Sequence, residues 1–255
     1  MENETVTQEI TEDQTQAKAD EQKGMDAAEL REFFQANADN YKFLSQMMFK
    51  ELNQETIKVL EQAQWPTDSN NAHLDRGYSY LRRYFKFSQG DRETQLACEY
   101  ARIFLAAGIY GMDKQVACPY ESIFTSEDHN VMGASRDSVR RIFREDGFLV
   151  NPGLHEPEDH LSFELEYLST MNERALQLMD EGDTKGLQRN LSRQATFINQ
   201  HLLNWVPDLL TMAKQFAKLS FYLGMLNICI GSLEQTLATL DLAAQSASNA
   251  LNQAA

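Results

Sequence analysis

The chain has 255 residues, enough for one large domain or two small ones, and its 42% hydrophobic and 24% charged residues are ordinary globular composition. The formal net charge of -15 disfavours nucleic acid, whose phosphates want basic surface, and anionic membranes; it favours a cationic partner. The three cysteines, Cys98, Cys118 and Cys229, form neither a CxxC nor an even set, which argues for a reducing compartment and predicts three buried small hydrophobes.

Residues 1–24, MENETVTQEITEDQTQAKADEQKG, hold seven carboxylates, two lysines and almost no bulky apolar groups. Such a segment cannot bury enough surface to offset its ordering entropy, so it reads as a disordered acidic tail. It has neither an apolar h-region nor a basic n-region, so no secretory signal is expected. From residue 25 the pattern is helical almost throughout. MDAAELREFFQANADNYKFLSQMMFKEL predicts one or two helices, and NQETIKVLEQAQW another, stopped by Pro66. LDRGYSYLRRYFKFS follows, up to a break at Gly90-Asp91. In RETQLACEYARIFLAAG, Leu96, Tyr100, Ile103 and Phe104 fall on one helix face. GMDKQVACPYESIFTSEDHNVMGA is a long connection without a regular period. SRDSVRRIFRED is a short helix with Ser135 as its expected N-cap.

GFLVNPGLHEPED is a second break, and 148–158 is the expected joint between an N-terminal part, 25–150, and a C-terminal part, 151–255. Beyond it, Leu161, Leu165, Leu168, Leu176 and Met179 form one helical stripe; Leu187, Leu191, Ala195, Ile198 and Leu202 form the next. After Pro207, LLTMAKQFAKLSFYLGMLNICIGSLEQTLATL supplies one or two more helices. All five prolines fall between helical stretches or at their starts, as their cost inside a helix requires. No alternating strand pattern of useful length is present. The fold class is all-α, a bundle of nine or ten helices. The longest nearly apolar run, LSFYLGMLNICIG, falls well short of the ~20 residues that span a bilayer, so a cytoplasmic protein with no membrane insertion is expected.

The densest chemistry lies in HEPEDHLSFELEYL, residues 155–168. A zincin needs two histidines one helical turn apart, whereas His155 and His160 are five apart and flank Pro157, so catalytic zinc is not expected. Glu156, Glu158 and Asp159 suit a helix start, where acids complement the positive end, and Pro157 suits the first helical position. His160, Glu164 and Tyr167 share one face: a histidine held by a neighbouring carboxylate, or a ligand-contacting group at the joint. The chain lacks GxxxxGK[ST], GxGxxG after a strand, and GxSxG, so no catalytic apparatus is recognisable and no enzyme activity is expected.

Three blocks carry a resemblance: EYARIFLAAG (99–108), PYESIF (119–124) and EPEDHLSFELEYL (156–168), with HLLNWVPDLL (201–210) in support. In order and spacing they resemble the TorD/DmsD family of redox-enzyme maturation chaperones over roughly residues 40–240. The resemblance implies an all-helical, non-enzymatic cytoplasmic protein. It implies a partner, the twin-arginine signal peptide of a molybdenum-cofactor oxidoreductase, and assistance to the apo catalytic subunit until its cofactor is inserted. It implies a monomer or a domain-swapped dimer, and no cofactor beyond weak guanine nucleotide binding. Carried over by motif, Tyr100, Ile103, Phe104, Pro119, Tyr120, Ser122 and Phe124 correspond to the peptide-binding surface. Glu156, Pro157, Asp159 and His160 correspond to the signature joint. The family often has tryptophan where this chain has Tyr100, Tyr120 and Phe124. Two other readings stay open on residues alone: a helical scaffold that only mediates dimerisation, and a nucleotide hydrolase using His160 and nearby carboxylates.

Overall fold

The computed structural model describes residues 25–105, 117–127, 129 and 131–254. The acidic segment 1–24 therefore lies outside the described residues, as do 106–116, which take in the end of RETQLACEYARIFLAAG and the start of the long connection. Ten α-helices and one 3-10 turn, Pro152–Leu154, are present among the described residues, and strand pairing is limited to one isolated bridge. The expected all-α bundle is what forms.

Helix α1, Ala27–Phe49, is a single helix. Asp26 and Glu29 close a reciprocal capping box at its start, which satisfies two donors that a helix end leaves free. Its stripe of Leu30, Phe34, Ala38, Tyr41, Leu44 and Met48 is buried. That stripe lies along α7, Leu161–Glu181, and the two backbones come close enough for the Ser169 hydroxyl to donate to the Ala38 carbonyl at 2.8 Å. Helix α8, Thr184–His201, follows α7 through Gly182, whose φ of +67 ends the helix as an α-left cap, and Asp183, which caps the next.

Helix α3, Ala72–Phe87, runs against α10, Phe221–Ala254. Their contact needs glycine. A Cβ on Gly77 would sit 2.6 Å from Ile228 Cγ1 and 2.8 Å from the Gly224 carbonyl oxygen. Helix α2, Gln54–Gln62, packs on α4, Arg92–Phe104, and α9, Val206–Phe216, packs on α4 and α10. The two short helices are α5, Glu121–Thr125, and α6, Ala134–Glu145. One apolar core runs through all of this, from Leu30 to Ala243. Helices on either side of the 148–158 connection interleave in it, α1 with α7 and α3 with α10.

Four local expectations are corrected. Gly133, not Ser135, is the N-cap of α6; Ser135 lies inside the helix and its hydroxyl meets Thr125 at 2.5 Å. The helix after EPED begins at Leu161 with His160 as N-cap, so Pro157 and the acids precede it. Of the three free cysteines only Cys229 is buried; Cys98 is exposed and Cys118 half-buried. The histidine–carboxylate pair expected within 160–164 does not form, because the His160 ring turns back to its own helix start.

The Gly77 contact gives a test of the α3–α10 packing. Gly77→Ala forces backbone against backbone and is expected to lower stability by about 1–3 kcal/mol in urea unfolding, with an unchanged m-value.

Candidate functional site

The Glu156–His160 segment and the Pro119–Ser122 segment are spliced side by side. Tyr120 and His160 form an antiparallel bridge. The Leu161 amide donates to the Pro119 carbonyl at 2.9 Å, and the Glu121 amide donates to the Asp159 carbonyl at 3.0 Å. Asp159 Oδ2 then accepts the Ser122 amide at 2.9 Å. This carboxylate does for α5 what its own N-cap residue, Tyr120, cannot do, since a phenol is no cap. At the surface the Tyr120 hydroxyl donates to Glu156 Oε2 at 2.5 Å. Glu158 pairs with Arg136 and Arg140 and ties the same segment to α6.

His160 is sealed into this splice. Its Nδ1 faces the Ser162 amide at 3.1 Å and the Ser162 hydroxyl at 2.8 Å. Its ring meets Tyr120 edge-on at 5.0 Å and packs beside Phe49 and Phe163. Burial brings its pKa down to about 4, so at neutral pH it is uncharged.

Beneath the splice lie three buried carboxyl groups, Glu121, Asp159 and Glu164. Glu121 Oε2 meets His201 Nδ1 at 2.9 Å, and its Oε1 accepts from Asn204 at 3.4 Å. Glu164 is fully buried; Glu121 and Trp205 are its polar neighbours, but neither of its oxygens makes a well-aligned hydrogen bond. Its pKa is raised well above the usual carboxylate range by burial first, then by the charges of Glu121 and Asp159. Glu164 is thus the protonated member of the group. Ser122 Oγ and Asp159 Oδ1 are also buried without a partner. Trp205 completes the wall: its indole donates to the His201 carbonyl at 2.7 Å, and Phe124 stacks on it at 5.5 Å. No cluster of three or more His, Cys, Asp or Glu among the described residues has a metal-holding arrangement.

The structure brings Pro119, Tyr120, Ser122, Phe124, Glu156, Pro157, Asp159 and His160 into one assembly, but in different layers. Glu156 is exposed, Tyr120 and Phe124 are half-buried, and Pro119, Ser122, Pro157, Asp159 and His160 are buried. Tyr100, Ile103 and Phe104 sit in the core. The Tyr100 hydroxyl donates to the Phe49 carbonyl at 2.8 Å, and its ring packs on Phe104 and Tyr222. Burial first, then the charges of Glu51 and Glu156, raise the Tyr100 pKa. Sequence reading gave no role to Glu121, His201, Asn204 or Trp205, although all four lie inside quoted blocks. Glu121 and His201 are 80 residues apart, and nothing local to either announces the other.

Two outcomes follow. Asp159→Ala removes a charged acceptor from a buried amide and is expected to cost about 1.5–3 kcal/mol, with hydrogen exchange at the Ser122 amide accelerated more than elsewhere. For Glu164, the folded state holds a proton above pH 4.5, where a free glutamate has lost it. The stability this group contributes is therefore full below the unfolded pKa and is lost as pH rises toward the folded one. Glu164→Gln abolishes that loss. Urea unfolding should give equal stability near the lower limit and a variant increasingly more stable than the parent as pH rises to ~8. His160 acts oppositely, weakening the fold as pH falls from the usual 6.5 to about 4, but equally in both proteins.

Comparison with known proteins agrees with this architecture. Residues 67–211 match the family model described as nitrate reductase delta subunit, which is more than half of the chain. The chaperone protein TorD of Vibrio cholerae serotype O1 is 27% identical over 219 residues, covering 84% of this chain and 96% of that protein. Proteins of the same name from Vibrio parahaemolyticus and Aliivibrio fischeri are 25% and 24% identical, covering 79% and 81% of this chain and 93% and 95% of their own lengths. With its all-helical fold and the spliced E-P-x-D-H joint, the chain belongs to the nitrate reductase delta-subunit family and, within it, to the TorD-like redox-enzyme maturation chaperones.

Proposed function

We propose that this protein is a cytoplasmic chaperone that binds the twin-arginine signal peptide of a molybdenum-cofactor oxidoreductase and holds its apo catalytic subunit until the cofactor is inserted. The observation that carries the reading is the outer layer of the joint. Glu156 stands exposed and bonded to the half-buried ring of Tyr120, with the half-buried Phe124 four residues further along the same segment, on a chain of net charge -15. A peptide guanidinium meets Glu156 through paired N–H···O bonds, a geometry lysine cannot reproduce. The buried His160 stays neutral and so does not repel the cation.

The apolar stretch of a signal peptide needs apolar surface. Leu149 and Leu154 lie exposed in the connection after α6, and Val131 and Met132 in the connection before it. Both connections border the spliced segments in the chain. Large exposed apolar side chains of this kind suit a groove that takes a peptide's hydrophobic face. Tyr100, Ile103 and Phe104, being buried in the core, support the site from within rather than forming the contact surface. The reading makes the protein a binder, with catalysis left to its client; the sealed, uncharged His160 suits a structural hinge pin better than a general base.

The test is calorimetric titration of the full chain with twin-arginine peptides, beside twin-lysine versions, at two salt concentrations. Micromolar binding is expected, weakened by salt. Glu156→Gln should weaken it about tenfold and remove most of the preference for arginine over lysine, the equivalent of about 1.4 kcal/mol. Phe124→Ala should weaken both peptides alike. Unchanged affinity in both variants would move the site elsewhere, and no binding to any peptide would remove the signal-peptide role.

A further inference from the structure

A line of polar side chains joins the buried carboxyl group of Glu164 to the surface. Glu164 lies in the first turn of α7, fully buried. Its polar neighbours are Glu121, at the start of α5, and the indole of Trp205, the residue before α9. Glu121 Oε2 meets His201 Nδ1 at 2.9 Å, and on the other edge of that imidazole Nε2 meets the Ser138 hydroxyl at 3.4 Å. Ser138 belongs to α6 and is half-buried, so the line Glu164, Glu121, His201, Ser138 ends within reach of water. An imidazole set between a carboxyl and a hydroxyl takes a proton at one nitrogen and gives one up at the other. The four residues come from four helices, so the line is complete only while the joint is closed.

The same group is tied to the outer layer. Trp205 stacks on Phe124 at 5.5 Å and donates its indole N–H to the His201 carbonyl at 2.7 Å. Asp159, the third acid of the group, accepts the Ser122 amide at 2.9 Å and so starts α5. A carboxylate at Glu164 pushes on Glu121 and Asp159 together, the two residues through which α5 is attached. Two further groups of the surroundings add no positive charge above pH 7. Cys229, on α10, is a thiol that burial pushes up to about 12, and His160 is held neutral by its own burial.

We infer that Glu164 is the proton-carrying residue that keeps the joint closed: opening of the splice releases its proton by way of Glu121, His201 and Ser138 to solvent, and opening becomes easier as pH rises. This rests on the reading of the joint as the partner-binding surface and adds regulation to it, since a partner held by the closed joint is exchanged faster in alkaline solution. In the closed joint Glu164 keeps its proton well above 4.5, whereas opened to water it is an ordinary glutamate that has lost it. Each opening therefore frees one proton, and the opening constant climbs about tenfold per pH unit until the closed-state value is reached. His160 acts oppositely, but only below its usual 6.5, so measurement above pH 7 isolates Glu164.

The test is hydrogen exchange at the Ser122 amide of the free full chain, from roughly pH 7 to 8.5, with each rate divided by that of an unstructured amide. Protection is expected to fall about tenfold per pH unit in the parent and to stay level in Glu164→Gln. Infrared spectra give a reading on the parent alone: a protonated-carboxyl band is expected at pH 7, and Ser138→Ala should slow its shift in heavy water. The same pH dependence of protection in both proteins, or no such band at pH 7, overturns the role of Glu164; an unaltered shift in Ser138→Ala overturns the path. A labelled twin-arginine peptide should leave the parent about tenfold faster at pH 8 than at pH 7, and Glu164→Gln at one rate. A pH-independent release from the parent overturns the link to the partner site, and no peptide binding removes the signal-peptide reading, while the exchange result on the free protein decides the proton by itself.

Discussion

Everything at the joint depends on Asp159. Its carbonyl and its carboxylate accept consecutive amides, those of Glu121 and Ser122, and so start α5 from a segment 37 residues further along the chain. The next residue, His160, caps α7. One dipeptide thus begins two helices at once, and the chain between them, which includes α6, is pinned at both ends. The exposed Glu156 and the half-buried Tyr120 are held in register by this buried layer. That is how a binding surface made of connections, the least rigid class of structure, can hold one geometry.

The same splice carries three carboxyl groups into the interior, and each is accommodated differently. Asp159 accepts a backbone amide. Glu121 takes His201 and Asn204 from the far end of α8 and the turn after it. Glu164 keeps its proton. Three full charges at this depth would repel one another in a medium that screens poorly, so a division of roles of this kind is what makes the cluster compatible with a folded chain. Its benefit is connectivity: the starts of α5 and α7, the end of α8 and Trp205 are joined by polar contacts that apolar packing alone would not align. Ser122 Oγ and Asp159 Oδ1 are among the buried polar atoms that this arrangement leaves without a hydrogen-bond partner.

Sequence alone determined the helical class and most helix positions. The apolar stripes of 161–179 and 187–202 repeat at helical spacing, and proline is excluded from helix interiors, so those signals are local and survive without knowledge of neighbours. Motif resemblance reached further, to a family and a role. What remained hidden was which residues of a motif face outward. Tyr100, Ile103 and Phe104 occupy the same helical face as ordinary core residues, and only packing against Tyr222 and Phe49 decides that they are core. His160 looked ready to pair with Glu164 four residues on, but as an N-cap its ring is turned to Ser162, and the carboxylate finds no base there. The pairing of Glu121 with His201 was out of reach for the same reason. Hydrogen bonds and solvent exclusion between distant segments depend on how the helices meet, and the sequence of any one segment does not contain that information.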